Sequence, residues 1–256
     1  AWGGLYRSVT AARMDVDDLE LLATVGAGVS LAHRSAMQSS LPLLRRNYKL
    51  SAVRAWGKLS GRTGDYLIAS GIRSSWSEDK IFFFCADGVS WAQLPVLSDD
   101  ESAACAAITG GLEGDIAHVL QGELREEHLL VYMVQQIESD AAVAPTGALV
   151  LHPSGGAVPN PAFAGTPEAG GWVALGRRKP LDPLRSASEN RADFLMPAED
   201  TLPKGGLVSR VDPATGATIL RSLVWPGFFA FSKGARYGYF YCGDGAKNAD
   251  VALMLS

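Results

Sequence analysis

The last forty or so residues constrain the fold of this 256-residue chain most, because their aromatic and small residues recur at the spacing of β-strands. Residues 219–225 have the period of two that a strand shows when its two faces meet different surroundings. In residues 236–242, the side chains of Tyr237, Tyr239 and Tyr241 fall on one face of a second strand. The sequence therefore predicts two neighbouring strands near the C-terminus.

Turn residues separate these strands. Trp225-Pro226-Gly227 ends the first strand, since proline cannot donate to a ladder and glycine accepts the positive φ of a sharp reversal. Upstream, residues 207–211 and 217–225 flank a short loop that contains proline and glycine, so they form a predicted hairpin.

The first part of the chain combines a helix with further strands. Ser30 caps a predicted helix that runs to about Asn47, and Pro42 is expected to bend or interrupt it. Residues 52–59 and 66–69 form a second predicted hairpin. The remaining extended pieces predicted here are residues 80–85 and 91–95.

Two more helices are predicted in the middle of the chain. Ser98 and Glu101 have the spacing of a capping box, so a helix should follow and continue to Thr109. Apolar residues recur at helical spacing from about Glu126 to Ser139, with a strand as the alternative for the same segment. This order of elements predicts an α+β fold: a mostly antiparallel sheet, N-terminal and central helices, and a long Pro/Gly-rich loop region.

The loop region is predicted from its proline content. Residues 145–203 contain nine of the thirteen prolines, interspersed with glycine, alanine and serine. Because proline interrupts helices and sheet ladders, we predict mainly long loop with short extended pieces there.

Composition excludes some classes of partner. The formal net charge is -4, whereas binding to nucleic acid needs clustered basic residues. No run approaches the ~20 apolar residues that cross a bilayer. We therefore expect neither a nucleic-acid partner nor a membrane partner. Cys85, Cys105 and Cys242 are odd in number and far apart, which favours reduced, buried thiols over disulfides.

The sequence contains no complete catalytic or metal-binding motif. The four histidines form neither HExxH nor an i, i+4 pair, and the cysteines form no CxxC. His152 and Ser154 lie in the stretch HPSGG, which lacks the first glycine of a GxSxG nucleophile elbow. We predict no catalytic residue, no metal and no cofactor. Two alternatives stay open: a hydrolase of unrecognised class that uses His152 and Ser154, and a small-ligand-binding regulatory domain.

Aromatic residues supply the other candidates. Eight rings lie within residues 225–241, and we expect them to divide between core and surface because two-faced strands bury so many rings with difficulty. Tryptophan and tyrosine are also favoured anchors of protein interfaces. The candidate structural or interface anchors are Trp56, Tyr66, Arg221, Trp225, Pro226, Gly227, Tyr237, Tyr239 and Tyr241.

Several segments carry a family resemblance. They are LRSLVWPG and YGYFYCGDGAKNADVALML near the C-terminus, NYKLSAVRAWGKLSGRTGDYLIASGI from residue 47, WAQLP from residue 91, and VQQIESDAAVAPTGAL from residue 134. Together they resemble the radial spoke head protein 9 family, which is related to radial spoke head proteins 4 and 6. The similarity covers most of residues 14–255.

The resemblance implies a non-catalytic structural subunit of the radial spoke head, in the axoneme of motile cilia and flagella. The implied roles are spoke head assembly and mechanical signalling between the central pair and the dynein arms. The implied partners are radial spoke head proteins 4 and 6, other head and stalk subunits and, through the assembled head, the central-pair projections. Two copies per spoke head are implied.

The resemblance also suggests how the chain is divided. Residues 1–13 precede it and are expected to be an N-terminal extension, and residues 14–256 are expected to form a single domain. Within that domain we distinguish a helical and hairpin part of about 14–144, the loop region of about 145–203, and an aromatic β module of about 204–256.

Overall fold

The structure is a computed structural model, and it describes residues 16–23, 26, 28–76, 80–153, 155–165, 171–201 and 205–254. The α-helices are α1 (Leu19–Ala23), α2 (Leu31–Asn47), α3 (Asp99–Ala106), α4 (Glu126–Ala141), α5 (Ala187–Ala192) and α6 (Asp250–Met254). Short 3-10 helices span Val16–Asp18 and Ala198–Asp200.

Fifteen strands lie between and after these helices in the described ranges. In the first part of the chain they are β1 (Ala52–Ser60), β2 (Asp65–Ile72), β3 (Lys80–Cys85), β4 (Ala92–Gln93), β5 (Val119–Gln121) and β6 (Leu124–Arg125). The middle part contains β7 (Val143–Pro145), β8 (Leu149–Leu151), β9 (Ala157–Pro159), β10 (Trp172–Arg178) and β11 (Leu195–Pro197). The last four are β12 (Leu207–Val211), β13 (Thr218–Ser222), β14 (Phe228–Lys233) and β15 (Arg236–Gly243).

Eight of these strands form one large sheet in the order β12-β13-β14-β15-β1-β2-β3-β4. Neighbouring strands are antiparallel except for β1 and β15, which run parallel with Gly57 opposite Tyr241. This parallel pair joins the four C-terminal strands to the four N-terminal strands. The predicted α+β fold with a mostly antiparallel sheet is confirmed, as are the hairpins β1–β2 and β12–β13.

Each face of the large sheet is covered by other elements. On one face, Met37 and Leu41 of α2 pack in a cluster with the buried rings of Phe83, Phe231 and Phe240. The opposite face forms a second cluster with the apolar side of α4 and with a three-stranded sheet in the order β11-β10-β7. Two separate cores therefore flank the same sheet.

The two cores explain why one expectation about the aromatic rings is wrong. Seven of the eight rings in residues 225–241 are buried, and the eighth, Phe229, is half-buried. The predicted division between core and surface rested on the difficulty of burying so many rings together on two-faced strands. Because both faces are covered, the tyrosines of β15 pack in one core while Phe240, between them in sequence, packs in the other.

Local signals place most element ends. Ser30 caps α2, since its Oγ accepts from the His33 N–H at 3.1 Å, and Ser98 and Glu101 form the predicted capping box of α3. Pro42 lies inside α2 without interrupting it, and α3 ends at Ala106, before the predicted Thr109. The 126–139 segment is helical, so its alternative as a strand is wrong.

The turn at Trp225-Pro226-Gly227 is present. The Phe228 N–H donates to the Trp225 carbonyl at 3.0 Å, and Gly227 has a φ of 96°. The preceding strand β13 ends earlier than predicted, at Ser222.

The proline-rich region has more regular structure than predicted. Short extended pieces are present, but β10 is seven residues long and forms the centre of the three-stranded sheet. A helix, α5, follows it and is capped by Ser186. Pro145 and Pro197 are compatible with this sheet because they lie at the ends of β7 and β11, which are its two edge strands.

Where β1 and β15 run side by side, Gly57 leaves too little space for a side chain. A Cβ added at Gly57 would lie 2.7 Å from the Tyr241 carbonyl oxygen, which is backbone and has no room to move. We expect Gly57→Ala to lower the free energy of unfolding by about 1–3 kcal/mol, measured by urea denaturation. Gly111→Ala is the matched control, because a Cβ there meets nothing within 4 Å. Equal stability of the two variants would contradict this account of the junction.

Candidate functional site

Helix α4 is held on the large sheet by polar contacts as well as by its apolar side. Three of its carboxylates, Glu126, Glu138 and Asp140, each accept a hydrogen bond from a tryptophan or tyrosine of the sheet or of the turn after β13. We call these three side chains the α4 carboxylates. They lie at the two ends of the helix, so the contacts fix both its position and its register on the sheet.

Glu138 accepts from two aromatic side chains and also forms an ion pair. Its carboxylate accepts from Trp56 Nε1 at 2.7 Å and from the Tyr239 hydroxyl at 2.9 Å, and it forms an ion pair with the Lys80 ammonium. The Lys80 and Glu138 side chains are only 5% and 14% exposed. Three donors therefore converge on one carboxylate between the helix and the sheet.

Charge and burial act against each other in this cluster. Burial pushes the pKa of Glu138 upward, but the Lys80 charge and the hydrogen bonds from Lys80, Trp56 and Tyr239 outweigh it, so the pKa lies below its usual value. Burial, together with the neighbouring carboxylate, raises the pKa of the Tyr239 hydroxyl well above its usual value. Glu138 is thus a fixed acceptor, and its pKa is far from that of a proton shuttle at neutral pH.

A second cation lies on the same face of the sheet. Arg54 is 7% exposed. Its guanidinium stacks over Trp76, with 4.2 Å from the central carbon to the ring centroid, and the same carbon is 5.7 Å from the Tyr239 ring centroid. Aromatic faces attract cations, by up to about 2 kcal/mol when water is excluded. Arg54 and Lys80 both lie close to the Tyr239 ring. The sheet face that meets α4 therefore has two cations near its centre, surrounded by mostly apolar side chains.

Glu126, at the other end of α4, is fully buried and holds a loop against the β1–β2 hairpin. It accepts from the Tyr66 hydroxyl at 2.7 Å and from the backbone N–H groups of Glu113 and Gly114 at 2.9 and 2.7 Å. In the same loop, the Leu112 carbonyl accepts from the Arg62 N–H at 2.9 Å. One buried carboxylate therefore satisfies a ring hydroxyl and two loop amides.

Asp140 connects α4 to the turns near the C-terminus. Its carboxylate accepts from Trp225 Nε1 at 3.2 Å and from the Lys247 ammonium at 2.8 Å. The Lys247 ammonium also lies 5.6 Å from the Trp225 ring centroid. The segment after β15 and the Trp225-Pro226-Gly227 turn are thus fastened to the same helix.

The other two tyrosines of β15 bond to backbone groups. The Tyr237 hydroxyl donates to the Ala148 carbonyl at 3.3 Å, and the Tyr241 hydroxyl accepts from the Gly245 N–H at 2.9 Å. Every tyrosine of this strand therefore combines a buried ring with a bonded polar tip.

The nine predicted anchors fall into two groups. Six have buried rings in the interior of the chain: Trp56, Tyr66, Trp225, Tyr237, Tyr239 and Tyr241. Gly227 is half-buried, whereas Arg221 and Pro226 are exposed. Four of the buried rings meet the α4 carboxylates, and Arg221 lies apart from them on β13.

Sequence reasoning did not identify the acceptors. Glu126 and Glu138 continue the apolar stripe of Leu130 and Val134 at intervals of four residues, so all four share one side of α4. The four-residue spacing indicates that these carboxylates share the buried side of α4. Charged residues near helix ends are usually exposed to solvent, however, so the spacing alone did not identify them. Arg54 and Lys80 gave no signal, because a single basic residue in a strand is usually exposed.

Several of the histidines and cysteines considered as functional candidates from the sequence have the following surroundings. His152 is exposed, and Ser154 lies outside the described residues. His128 Nδ1 accepts from the Arg125 N–H at 3.1 Å at the start of α4. Cys85 and Cys105 are buried free thiols, and burial raises the pKa of Cys85 to about 12.

In the ranges that the structure describes, neither a metal-binding cluster nor a membrane-spanning helix is present. No three side chains of His, Cys, Asp or Glu come together there as ligands. Among the same residues, no helix combines the length and the hydropathy of a bilayer span.

Two cavities border α4. One of about 300 Å³ opens beside Lys80 and Glu138 and is also lined by Phe82 and Arg177. The other, of about 470 Å³, has a mostly apolar lining that includes Leu129, Met133, Trp225 and Lys247.

Comparison with known proteins gives one consistent result. A Danio rerio protein named radial spoke head protein 9 homolog is 32% identical over an alignment of 278 positions, which spans 94% of this chain and 100% of its own. Proteins of the same name from Mus musculus and Xenopus tropicalis are 29% and 30% identical, over 94% and 93% of this chain and 100% and 97% of their own. No family model matches the chain.

The Glu138 cluster predicts a large stability loss when its carboxylate is neutralised. Glu138→Gln leaves the buried Lys80 charge without a counter-ion, so we expect the free energy of unfolding to fall by about 3–5 kcal/mol at pH 7 in urea denaturation. Glu127→Gln is the control on the same helix, and it should cost less than about 1 kcal/mol.

The pH dependence of this loss has a defined sign. A carboxyl whose folded pKa is depressed stabilises the fold above its unfolded pKa of about 4.3, and loses that contribution as pH falls through the folded pKa. The difference between wild type and Glu138→Gln should therefore be constant near neutrality and shrink below about pH 4. A difference that grows on acidification would contradict the assignment.

Trp225 allows ring burial and hydrogen bonding to be separated. Its side chain is 4% exposed, so Trp225→Ala should cost about 3–5 kcal/mol. Trp225→Phe keeps a buried ring but loses the bond to Asp140, and should cost about 1.5–3 kcal/mol. Thermal melting of both variants measures the order, and a Phe variant as unstable as the Ala variant would assign the effect to the hydrogen bond alone.

Proposed function

The chain belongs to the radial spoke head protein 9 family, and on that premise we propose that it is a non-catalytic structural subunit of the radial spoke head in the axoneme of motile cilia and flagella. The observation that carries the proposal is similarity along almost the whole chain. The relatives match over 93–94% of it and over 97–100% of their own length. The similarity therefore extends over nearly the whole of both proteins and is not limited to one shared segment.

We propose that the subunit is needed for head assembly and for passing mechanical signals between the central pair and the dynein arms. Transmission of force requires a domain that resists deformation. The packing supports such a role, because one sheet has both faces covered and its central helix is fixed at both ends by buried carboxylates. Buried polar groups that are fully bonded tend to rigidify a core.

The proposed partners are radial spoke head proteins 4 and 6 and other head and stalk subunits, with contact to central-pair projections through the assembled head and two copies in each head. Obligate assemblies of this kind bury more than about 2,000 Å² per interface. Of the predicted anchors, the exposed Arg221 and Pro226 are the ones available for such contacts.

We also propose that residues 14–256 act as one domain, with residues 1–13 as an extension. The support is that α1 and α2 pack in one core with Phe231 and Phe240 near the other end of the chain. A division of the domain between its N-terminal and C-terminal parts would cut through the large sheet.

Removal of the chain tests the proposal directly. In the ciliated cell that expresses it, deletion of its gene should give axonemes whose radial spokes lack density in the head, measured by subtomogram averaging of frozen axonemes. Beating should become abnormal, because the dynein arms would no longer receive signals from the central pair.

Re-expression supplies the control. The wild-type chain should restore the missing density, and a tagged copy should co-purify with radial spoke head protein 4. Complete spoke heads in the deletion strain, or recovery of the tagged chain only outside the axoneme, would overturn the proposal.

A further inference from the structure

The outer edge of the large sheet is open at β12. This strand is the last in the sheet order, and it pairs with β13 alone through five residue pairs without a bulge. Among the described residues no other strand pairs with it. The opposite edge, β4, is only two residues long. β12 is therefore the longer edge that a further strand could join.

The ladder with β13 shows which backbone groups point outward. The Asp212 N–H donates to the Ala217 carbonyl and the Leu223 N–H donates to the Gly206 carbonyl, so even-numbered residues of this strand face β13. Bonded and non-bonded positions alternate in an antiparallel pair. The N–H and C=O groups of Leu207, Ser209 and Val211 therefore point away from the sheet.

Native sheets usually block such an edge with lysine, proline or a bulge. β12 has no lysine or proline, its one charged residue is Arg210, and its register with β13 is unbroken. Two of its apolar side chains are also exposed, Val208 by 43% and Val211 by 44%. The edge consequently retains the backbone and side-chain features that favour pairing.

Charge indicates which kind of strand fits. Val208 is opposite Arg221, and Arg210 is opposite Ile219, so the two arginines lie on the same face of the sheet beside the exposed valine. Both arginines are exposed, and neither has an ion pair within 4 Å in the described part of the chain. The Asp212 carboxylate feels the Arg210 charge but accepts its hydrogen bond from Thr215 in the turn. Opposite charges on neighbouring strands stabilise pairing, and like charges oppose it.

We infer that β12 receives an extended, acidic segment of another polypeptide as an additional strand of the large sheet. This inference rests on the proposed role as an assembly subunit and names the surface used. A second copy of this chain fits less well, because full antiparallel pairing of two β12 strands places Arg210 opposite Val208, makes the two Arg210 side chains diagonal neighbours on one face, and brings no acidic residue of β12 to offset them. Residues 1–15 also fit less well, since they carry Arg7 and Arg13 but only one acidic residue, Asp15.

Hydrogen–deuterium exchange with fragmentation to single amides tests the pairing. The isolated chain is compared with purified spoke heads that contain it. We expect the amides of Leu207, Ser209 and Val211 to exchange about tenfold more slowly, or slower still, in the heads, while those of Val208 and Arg210 are protected in both samples. Unchanged exchange at the three outward amides in intact heads would overturn the inference and leave the proposed function standing.

The test also distinguishes other occupants. Protection in the isolated chain that disappears when residues 1–13 are removed would assign the edge to the chain itself. Protection that increases with the concentration of the isolated chain would assign it to a second copy. Either result overturns the inference. Absence of the chain from spoke heads would instead refute the proposed function.

A matched pair of variants adds a functional measurement. Ser209→Pro removes an outward N–H but no bond to β13, since proline is tolerated where its nitrogen faces away from the ladder. We expect the melting temperature of Ser209→Pro to be close to that of the wild-type chain. When the two are co-expressed, the amount of the variant incorporated into spoke heads should be lower by about tenfold or more. Ser209→Ala keeps the N–H and should enter normally.

Arg210→Glu tests the charge. It should reduce entry into spoke heads, and raised ionic strength should lessen that reduction because exposed charges are screened by salt. Entry equal to wild type would refute an acidic partner, and equal entry of Ser209→Pro and Ser209→Ala would refute strand addition.

Discussion

The fold depends on the way in which α4 is attached to the large sheet. An apolar stripe alone would let the helix slide or rotate, because hydrophobic packing has little directional preference. The α4 carboxylates remove that freedom, since each requires a donor at hydrogen-bond distance and the donors are fixed on strands or turns. Separating the Lys80–Glu138 pair would leave a buried charge without its partner, which is costly. The effect of the pair is therefore to exclude other registers of α4.

The sequence predicted the sheet better than it predicted the contacts across it. The period of two in β15, the turn at Trp225 and the capping box at Ser98 are local signals, and local geometry enforces them wherever the segment lies in the fold. Partners across the sheet are different, because nothing near Trp56 in sequence shows that its indole N–H meets Glu138 on a helix far along the chain. The same limit applies to the burial of the rings. Ring burial depends on α2 and α4 covering opposite faces of the sheet, and the sequence of a single strand does not show this.

The parallel pair of β1 and β15 has a further consequence for how the chain folds. It brings together residues from the two ends of the sequence, and contacts of that kind form only after a large loop has closed. The hairpins β1–β2, β12–β13 and β14–β15 are local and can form before it. The central strands of the sheet therefore depend on the most distant strand pairing, and Gly57 is the position where that pairing leaves no space for a side chain.

The interior arrangement limits what the surface can offer to a partner. Tryptophan and tyrosine are the usual anchors of protein interfaces, but here six of the predicted anchors have their rings in the core on the α4 side of the sheet and their polar tips bonded within the chain. Recruiting them to an interface would expose a core. The outer groups that stay available in the described ranges are backbone edges, charged side chains and scattered apolar ones such as Val96 and Leu184. Contact through a sheet edge suits such a surface, because a ladder of backbone hydrogen bonds needs no aromatic anchor. A strand added there would extend the large sheet on which α4 packs.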